Sequence, residues 1–332
     1  MPLLGGKELA HVYARAKAEG FALLANNFAE NNVLLGLLAA HAAKKSDLLL
    51  QISQGAAKFA GGGQALAGLR ALVAYARALA ADHPIGVFVN LDHVTPDAID
   101  SFIVPALKEG LCASVMIDAS DRPFEENVAI TKRVVELARP YGVLVEGELG
   151  RIKGAEEGIV SDEAFYTDPN EAVEYVARTG VDLLAISVGT QHGVSAGKEL
   201  RLRVDLAQRI EAELRAAGHE RPLVLHGASG LTADQVRALV GAGICKMNKD
   251  TTYQYVYART AATFFLAQRA EILPPDGVLF DPITFEAHGA RWSPNKKIFD
   301  PRVLGKEIQA AIQRVAEEMI DQVGAGGRSL YA

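Results

Sequence analysis

Short, continuously apolar runs alternate with longer amphipathic stretches along the whole chain. Phe21–Ala25, Leu48–Ile52, Ile85–Leu91, Ala113–Ile117, Val143–Glu148, Leu183–Val188, Leu223–Leu225 and Ile244–Met247 read as strands. They are apolar throughout rather than alternating, as parallel strands covered on both faces require. Between them, stretches such as Leu66–Ala81, Phe124–Ala138, Glu171–Thr179 and Asp205–Ala217 repeat apolar residues at three- and four-residue spacing, the period of a helix with one buried face. Eight strand–helix alternations predict an α/β fold of the (β/α)8 TIM-barrel type. A doubly wound open sheet would place a glycine-rich phosphate turn after its first strand. Here that position reads Ala25-Asn26-Asn27-Phe28-Ala29, without glycine.

The barrel is expected over about residues 20–272 of a single domain spanning 1–332. Residues 5–19 read as an extra N-terminal helix capping the barrel bottom. Gly150–Asp168 is a long polar connection where barrel enzymes carry active-site loops. An insert at 273–302, rich in Pro, Asp and aromatic residues, precedes a C-terminal helix near Val303–Val323.

Composition narrows the class. Thirty-four Lys+Arg against 40 Asp+Glu give a net charge of −6, with no basic stripe to neutralise nucleic-acid phosphates. The two cysteines, Cys112 and Cys245, lie in apolar segments, which excludes a disulfide framework and fits a reducing, cytoplasmic setting. No apolar run approaches bilayer length, so no membrane partner is expected.

The chemistry lies where the predicted strands end. They run into Asn90-Leu91-Asp92-His93, Met116–Ser120, Glu146–Gly150, Val188–Gly193, Leu225–Gly230 and Lys246–Thr251. In a barrel these endings converge on one face, the face that carries catalysis. His93, His192 and His226 therefore approach one mouth, and three neutral imidazoles with an open fourth position form a catalytic zinc shell. Asp92 precedes His93; a regular strand cannot aim both inward, but both can border the mouth and exchange a proton with metal-bound substrate. Asp118 and Glu148 read either as carboxylates orienting the imidazoles or as alternate metal ligands. For Glu146, an ion pair with a rim Lys or Arg competes evenly with a functional role. Gly227-Ala228-Ser229 and Asn248–Thr251 occupy the ends of strands seven and eight, where barrels hold phosphate on backbone N–H groups.

In this order, these motifs resemble the class II, zinc-dependent ketose-bisphosphate aldolases, whose members cleave fructose or tagatose 1,6-bisphosphate. The resemblance covers about residues 6–262 and resumes at Phe299-Asp300-Pro301-Arg302 and Val323–Arg328. It implies that His93, His192 and His226 hold zinc and that Asp92 is the acid/base at the C4 hydroxyl. It implies further that Gly193, Gly227, Ala228, Ser229, Asn248, Lys249, Asp250 and Thr251 bind the dihydroxyacetone phosphate half. Asn27 and Ser53 would line the same pocket, with a monovalent cation (Na+ or K+) near the phosphate. Asp118 and Glu148 match positions that take a second, displaced metal in some members, and Glu156, with Glu157 beside it, matches a mobile carboxylate acting at C3. Family members are dimers or tetramers, so a homo-oligomer acting on a small sugar phosphate in carbohydrate metabolism is expected.

The sequence also departs from the family pattern. Val94 follows the Asp-His pair in place of glycine, and Ala119 replaces the glycine of Asp-Gly-Ser. Ser195-Ala196-Gly197 stands where Tyr-Lys-Gly is usual, and Lys249 is a candidate to compensate for that lysine. Gln254 replaces an arginine that in the family's shorter-type enzymes grips the distal phosphate of a neighbouring subunit's substrate, and no amide forms a charged bidentate clamp. Two alternatives therefore stand beside a fructose-bisphosphate aldolase. One is an aldolase for another ketose phosphate, tagatose bisphosphate or one lacking the distal phosphate; the other is a zinc hydrolase or isomerase on the same barrel.

Overall fold

The computed structural model describes residues 3–150, 152, 154–156, 159–161, 166–193 and 201–331. Eight parallel strands close into a barrel: β1 (Leu23–Asn27), β2 (Leu48–Ser53), β3 (Val87–Val94), β4 (Ser114–Ile117), β5 (Leu144–Leu149), β6 (Leu183–Ile186), β7 (Leu223–Leu225) and β8 (Ile244–Lys249). The ring runs in chain order, and β1 closes it by pairing with β8 through Leu23↔Lys246 to Asn26↔Lys249. The sheet is buried on both faces, so strands read from apolar runs appear where the sequence places them. Leu223–Leu225 and helix Phe124–Ala138 match residue for residue.

The differences concentrate at the C-terminal strand ends. β1, β2, β3 and β8 continue past their apolar runs into Asn26-Asn27, Ser53, Asp92-His93-Val94 and Asn248-Lys249. Ladder pairing there depends on backbone groups alone, and Asn27, Asp92, His93 and Asn248 find polar side-chain partners on other strands or the turns after them. β3 contains the important irregularity. Leu91 pairs with Val115 and Val94 with Ile117, so three steps on β3 oppose two on β4. His93 takes φ +43°, a conformation side-chain-bearing residues rarely adopt. This bulge aims consecutive Asp92 and His93 into the same mouth, which a regular pleat forbids.

Helix Gly6–Glu19 closes the bottom with Leu9, Val12, Tyr13 and Ala16 buried. A Cβ on Gly6 would lie 2.8 Å from the Ala113 carbonyl oxygen, so the helix starts hard against the sheet. The C-terminal helix Pro301–Gln322 packs on helix Asn31–Lys44, where Gly36 lets the Gln309 carbonyl and Ile312 approach. The segment before it carries a two-strand ribbon, Leu279–Phe280 with Ala287–His288. The connection after β5 carries a second, Gly154–Glu156 with Ile159–Ser161. Among the described residues no helix is long and apolar enough to cross a membrane.

Gly147 separates the two β5 glutamates and faces a buried network behind the sheet. There Tyr175 Oη donates to Asn127 Oδ1 at 3.0 Å and meets Thr131 Oγ1 at 2.8 Å, while Asn127 Nδ2 donates to the Glu148 carbonyl at 2.9 Å. A Cβ on Gly147 would stand 2.5 Å from Tyr175 Oη. Gly147→Ala is therefore expected to destabilise the fold by about 1–3 kcal/mol through overpacking, seen as a lowered thermal midpoint. An unchanged midpoint would show that the network does not hold β5 in place.

Candidate active site

Side chains two residues apart on a strand share a face, and three such pairs meet inside the barrel mouth. Asn90 and Asp92 come from β3, Glu146 and Glu148 from β5, and Lys246 and Asn248 from β8. All six are buried. Lys246 Nζ donates to Glu146 Oε2 at 2.6 Å across the interior, and Glu146 Oε1 lies 2.7 Å from His226 Nε2. His226 Nδ1 faces His93 Nε2 at 2.7 Å, and His93 Nδ1 lies 2.9 Å from Asp118 Oδ2. The other Asp118 oxygen accepts from the Ser120 backbone N–H and hydroxyl at 3.1 and 2.8 Å.

This chain assigns the tautomers. Burial raises the carboxyl pKa of Glu146, but the Lys246 ammonium and the His226 hydrogen bond outweigh it and hold the group down to about 2. For Asp118 burial acts in the same direction and loses to the hydrogen bond from His93 and then to Ser120, leaving it at about 2. Both carboxylates are therefore ionised and accept from the ring nitrogen that faces them. The remaining nitrogens, His226 Nδ1 and His93 Nε2, then turn lone pairs toward each other. Burial, then the neighbouring His93, keeps the His226 imidazole neutral by lowering its pKa. Two ring nitrogens brought face to face, each imidazole backed by a carboxylate on its far side, are an arrangement suited to a metal cation.

The donor set fits a divalent ion. Donor atoms of His93, Glu148 and His226 lie within 4.8 Å of one another. The His192 ring stands 5.6 Å from that of His93 and 6.2 Å from that of His226, with the latter two 4.6 Å apart. Three imidazoles on one tetrahedral ion hold their centroids about 5 Å apart, so His192 stands at the edge of the same shell. The three expected histidines thus converge, and Glu148 stands with His93 and His226 in a cluster that could hold a metal. Asp118 is placed behind His93 with both oxygens occupied, the geometry of an orienting carboxylate.

Asp92, fully buried, accepts Asn27 Nδ2 at 2.8 Å on Oδ2 and Asn248 Nδ2 at 3.2 Å on Oδ1. Donation to a carboxylate fixes the amide orientations, and among the described residues Asn27 Oδ1 and Asn248 Oδ1 meet no hydrogen-bond partner. Ser53 lines the same side of the mouth as Asn27, its hydroxyl accepting the Ala56 N–H at 3.1 Å. On the opposite side, Gly227 takes φ +62°, and a Cβ there would lie 2.7 Å from Gln191. Only glycine lets the β7 turn approach the segment that carries His192 and Gly193. Thr251 opens helix Thr251–Ala267, whose cap Asp250 makes no side-chain bond to the first-turn N–H groups. Lys249 is buried, with burial lowering its pKa to about 8, and donates to the Ala228 carbonyl at 2.6 Å. It therefore braces the turn of Gly227, Ala228 and Ser229 from behind. Glu156 lies in the ribbon after β5, whereas Glu157 and Ser195–Gly197 fall outside the described residues.

Sequence reasoning offered Glu146 an ion pair with a rim Lys or Arg; the structure supplies one, but the partner is Lys246 in the barrel interior and not at the rim. The available signal was a lysine inside an apolar strand, spaced two residues from Asn248 as Glu146 is from Glu148.

The class II fructose-bisphosphate aldolase family matches residues 7–328. The chain belongs to that family. It is 33% identical over 342 residues to a fructose-bisphosphate aldolase of Thermus caldophilus, covering 96% of this chain and 98% of that one. It is 35% identical over 256 residues to the D-tagatose-1,6-bisphosphate aldolase subunit GatY of Klebsiella oxytoca, covering 76% and 83%. The fold matches the crystal structure of the Campylobacter jejuni fructose-bisphosphate aldolase with a TM-score of 0.83 at 23% identity, over 99% of this chain and 97% of that one. The protein is thus a class II aldolase, a lyase on a TIM barrel. Membership decides against the hydrolase or isomerase reading.

Two expectations follow from the buried chain of charges. Lys246→Met leaves Glu146 buried without its cation and should cost about 3–5 kcal/mol in denaturant unfolding, whereas Glu146→Gln/Lys246→Met should cost less than the single change. Asp118 and Glu146 have folded pKa values below their ordinary 3.8 and 4.5. The stability they contribute is complete above those values and is lost as pH falls toward about 2. A thermal midpoint unchanged between pH 5 and pH 3 would contradict the assignment.

Proposed function

We propose that this aldolase is zinc-dependent and reversibly cleaves a ketose phosphate into dihydroxyacetone phosphate and an aldehyde. The observation that carries this reading is the pair of facing imidazole nitrogens, His93 Nε2 and His226 Nδ1, each held by a carboxylate on its far side. His93, His192 and His226 are the proposed ligands, with Glu148 as a further donor. A nitrogen-rich shell with one carboxylate suits zinc better than the all-oxygen sites of magnesium or calcium. Bound there, the ion supplies Lewis acidity for the charge that develops on the substrate carbonyl as the carbon–carbon bond breaks.

The chain's own residues carry the rest. Asp92 takes the proton from the C4 hydroxyl, and the amides of Asn27 and Asn248 hold its two oxygens in place for that transfer. Glu156 moves the proton at C3. Gly193, the turn Gly227–Ser229 and the N-terminus at Asp250-Thr251 hold the phosphate on backbone N–H groups and hydroxyls, with a monovalent cation beside it. Lys249 acts on that cradle through the peptide between Ala228 and Ser229. Its ammonium on the Ala228 carbonyl polarises the N–H of Ser229. Anchoring the phosphate fixes the reacting carbons against Asp92.

The enzyme is proposed to be a cytoplasmic homo-oligomer. Leu266, Leu279, Ile283 and Phe285 expose apolar side chains over the helix after β8 and the segment following it, a surface suited to a second copy. Asp92→Asn should keep its metal content while turnover falls about 10²–10⁴-fold, as loss of a general base requires. Chelation should abolish dihydroxyacetone phosphate release and zinc should restore it. Full activity of the Asp92 variant, or activity indifferent to chelator, would refute the assignment.

A further inference from the structure

Beside the site described above, a cavity of about 510 Å³ opens at the ends of β8, β1 and β2. Asn27 joins the two: it lines the cavity, and its Nδ2 donates to Asp92. Substrate atoms beyond the carbon whose hydroxyl meets Asp92 therefore extend into this cavity.

Its chemistry is unsuited to an anion. Among the described residues that line it, the charged groups are two carboxylates, Glu30 and Asp250, and neither lysine nor arginine appears. Glu30 accepts the backbone N–H groups of Asn32 at 3.0 Å and Val33 at 2.6 Å. It thereby fills the anion position at the start of helix Asn31–Lys44, where a phosphate could otherwise dock. Gln254 donates one of its two amide N–H groups to Asp250 Oδ2 at 2.8 Å and, being uncharged, offers no cation to a phosphate. Asn27, with one Nδ2 hydrogen on Asp92, presents a buried carbonyl oxygen, Oδ1, that meets no hydrogen-bond partner among the described residues. An unpartnered acceptor calls for a donor. A hydroxyl supplies one, and a phosphate dianion does not.

We infer that this cavity receives the aldehyde end of the substrate as an uncharged, hydroxylated chain, so that the cleaved ketose carries phosphate only on its dihydroxyacetone side. The inference rests on the aldolase mechanism proposed above, and its test separates the two. The zinc-loaded, full-length enzyme is given dihydroxyacetone phosphate in deuterated water, and exchange at C3 is followed without any aldehyde present. Condensation is then compared for glyceraldehyde and glyceraldehyde 3-phosphate. Exchange should proceed, and kcat/KM should be at least tenfold higher for the unphosphorylated aldehyde. Gln254→Arg, which introduces a guanidinium into the cavity, should move that ratio at least tenfold toward glyceraldehyde 3-phosphate. Exchange accompanied by a wild-type preference for the phosphorylated aldehyde overturns the inference and leaves the mechanism standing. So does a ratio that Gln254→Arg fails to move. Absence of exchange overturns the mechanism itself.

Discussion

Two imidazole nitrogens turned toward each other inside a barrel, each backed by a buried carboxylate, are the constraint on which this structure depends. Neither histidine could hold that orientation alone. Asp118 selects the tautomer of His93 and Glu146 that of His226, while Lys246 supplies the charge that lets Glu146 stay ionised in the interior. Buried charges survive only when paired and hydrogen-bonded, so the polar chain forms as a unit or not at all. Its members come from β3, β4, β5, β7 and β8 or from the turns that follow them, and closure of the barrel is what brings them together.

The closed sheet serves this cluster in two ways. Its outer face and bottom are apolar and rigid, which fixes the strand ends. Its upper interior departs from the ideal where chemistry needs it, most clearly at His93. There an extra residue in β3 and a positive φ present a carboxylate and an imidazole to the mouth from adjacent positions. Conformations of this kind cost on the order of 1–3 kcal/mol and persist where the surroundings over-determine them. Here Asp118, His226 and the two amides on Asp92 do so.

Much of this was legible in the sequence. Buried parallel strands announce themselves as apolar runs, and polar residues at the ends of six of them marked the mouth. His93, His226 and Asp92 were named on that basis and lie together, with His192 beside them. Less visible were features that arise only from three-dimensional closure. The Glu146–Lys246 pair joins residues 100 positions apart on strands that are not neighbours. Glu148 joins the histidines because β5 aims alternate residues inward, whereas its position alone left two roles open. Lys249, expected against the substrate, reaches the Gly227–Ser229 turn from behind, because at the end of β8 its side chain points away from Lys246 and Asn248. The aldehyde cavity depends on which hydrogen-bonding groups are already committed, and a linear sequence does not record that.

The most direct test of the central claim is anomalous diffraction at the zinc edge from crystals of the zinc-loaded enzyme. The account predicts one strong peak about 2.0–2.1 Å from a ring nitrogen of each of His93, His192 and His226, with Asp118 and Glu146 still bonded to the far nitrogens of His93 and His226. A peak outside that shell, or His93 Nε2 and His226 Nδ1 still 2.7 Å apart with no ion between them, would contradict it.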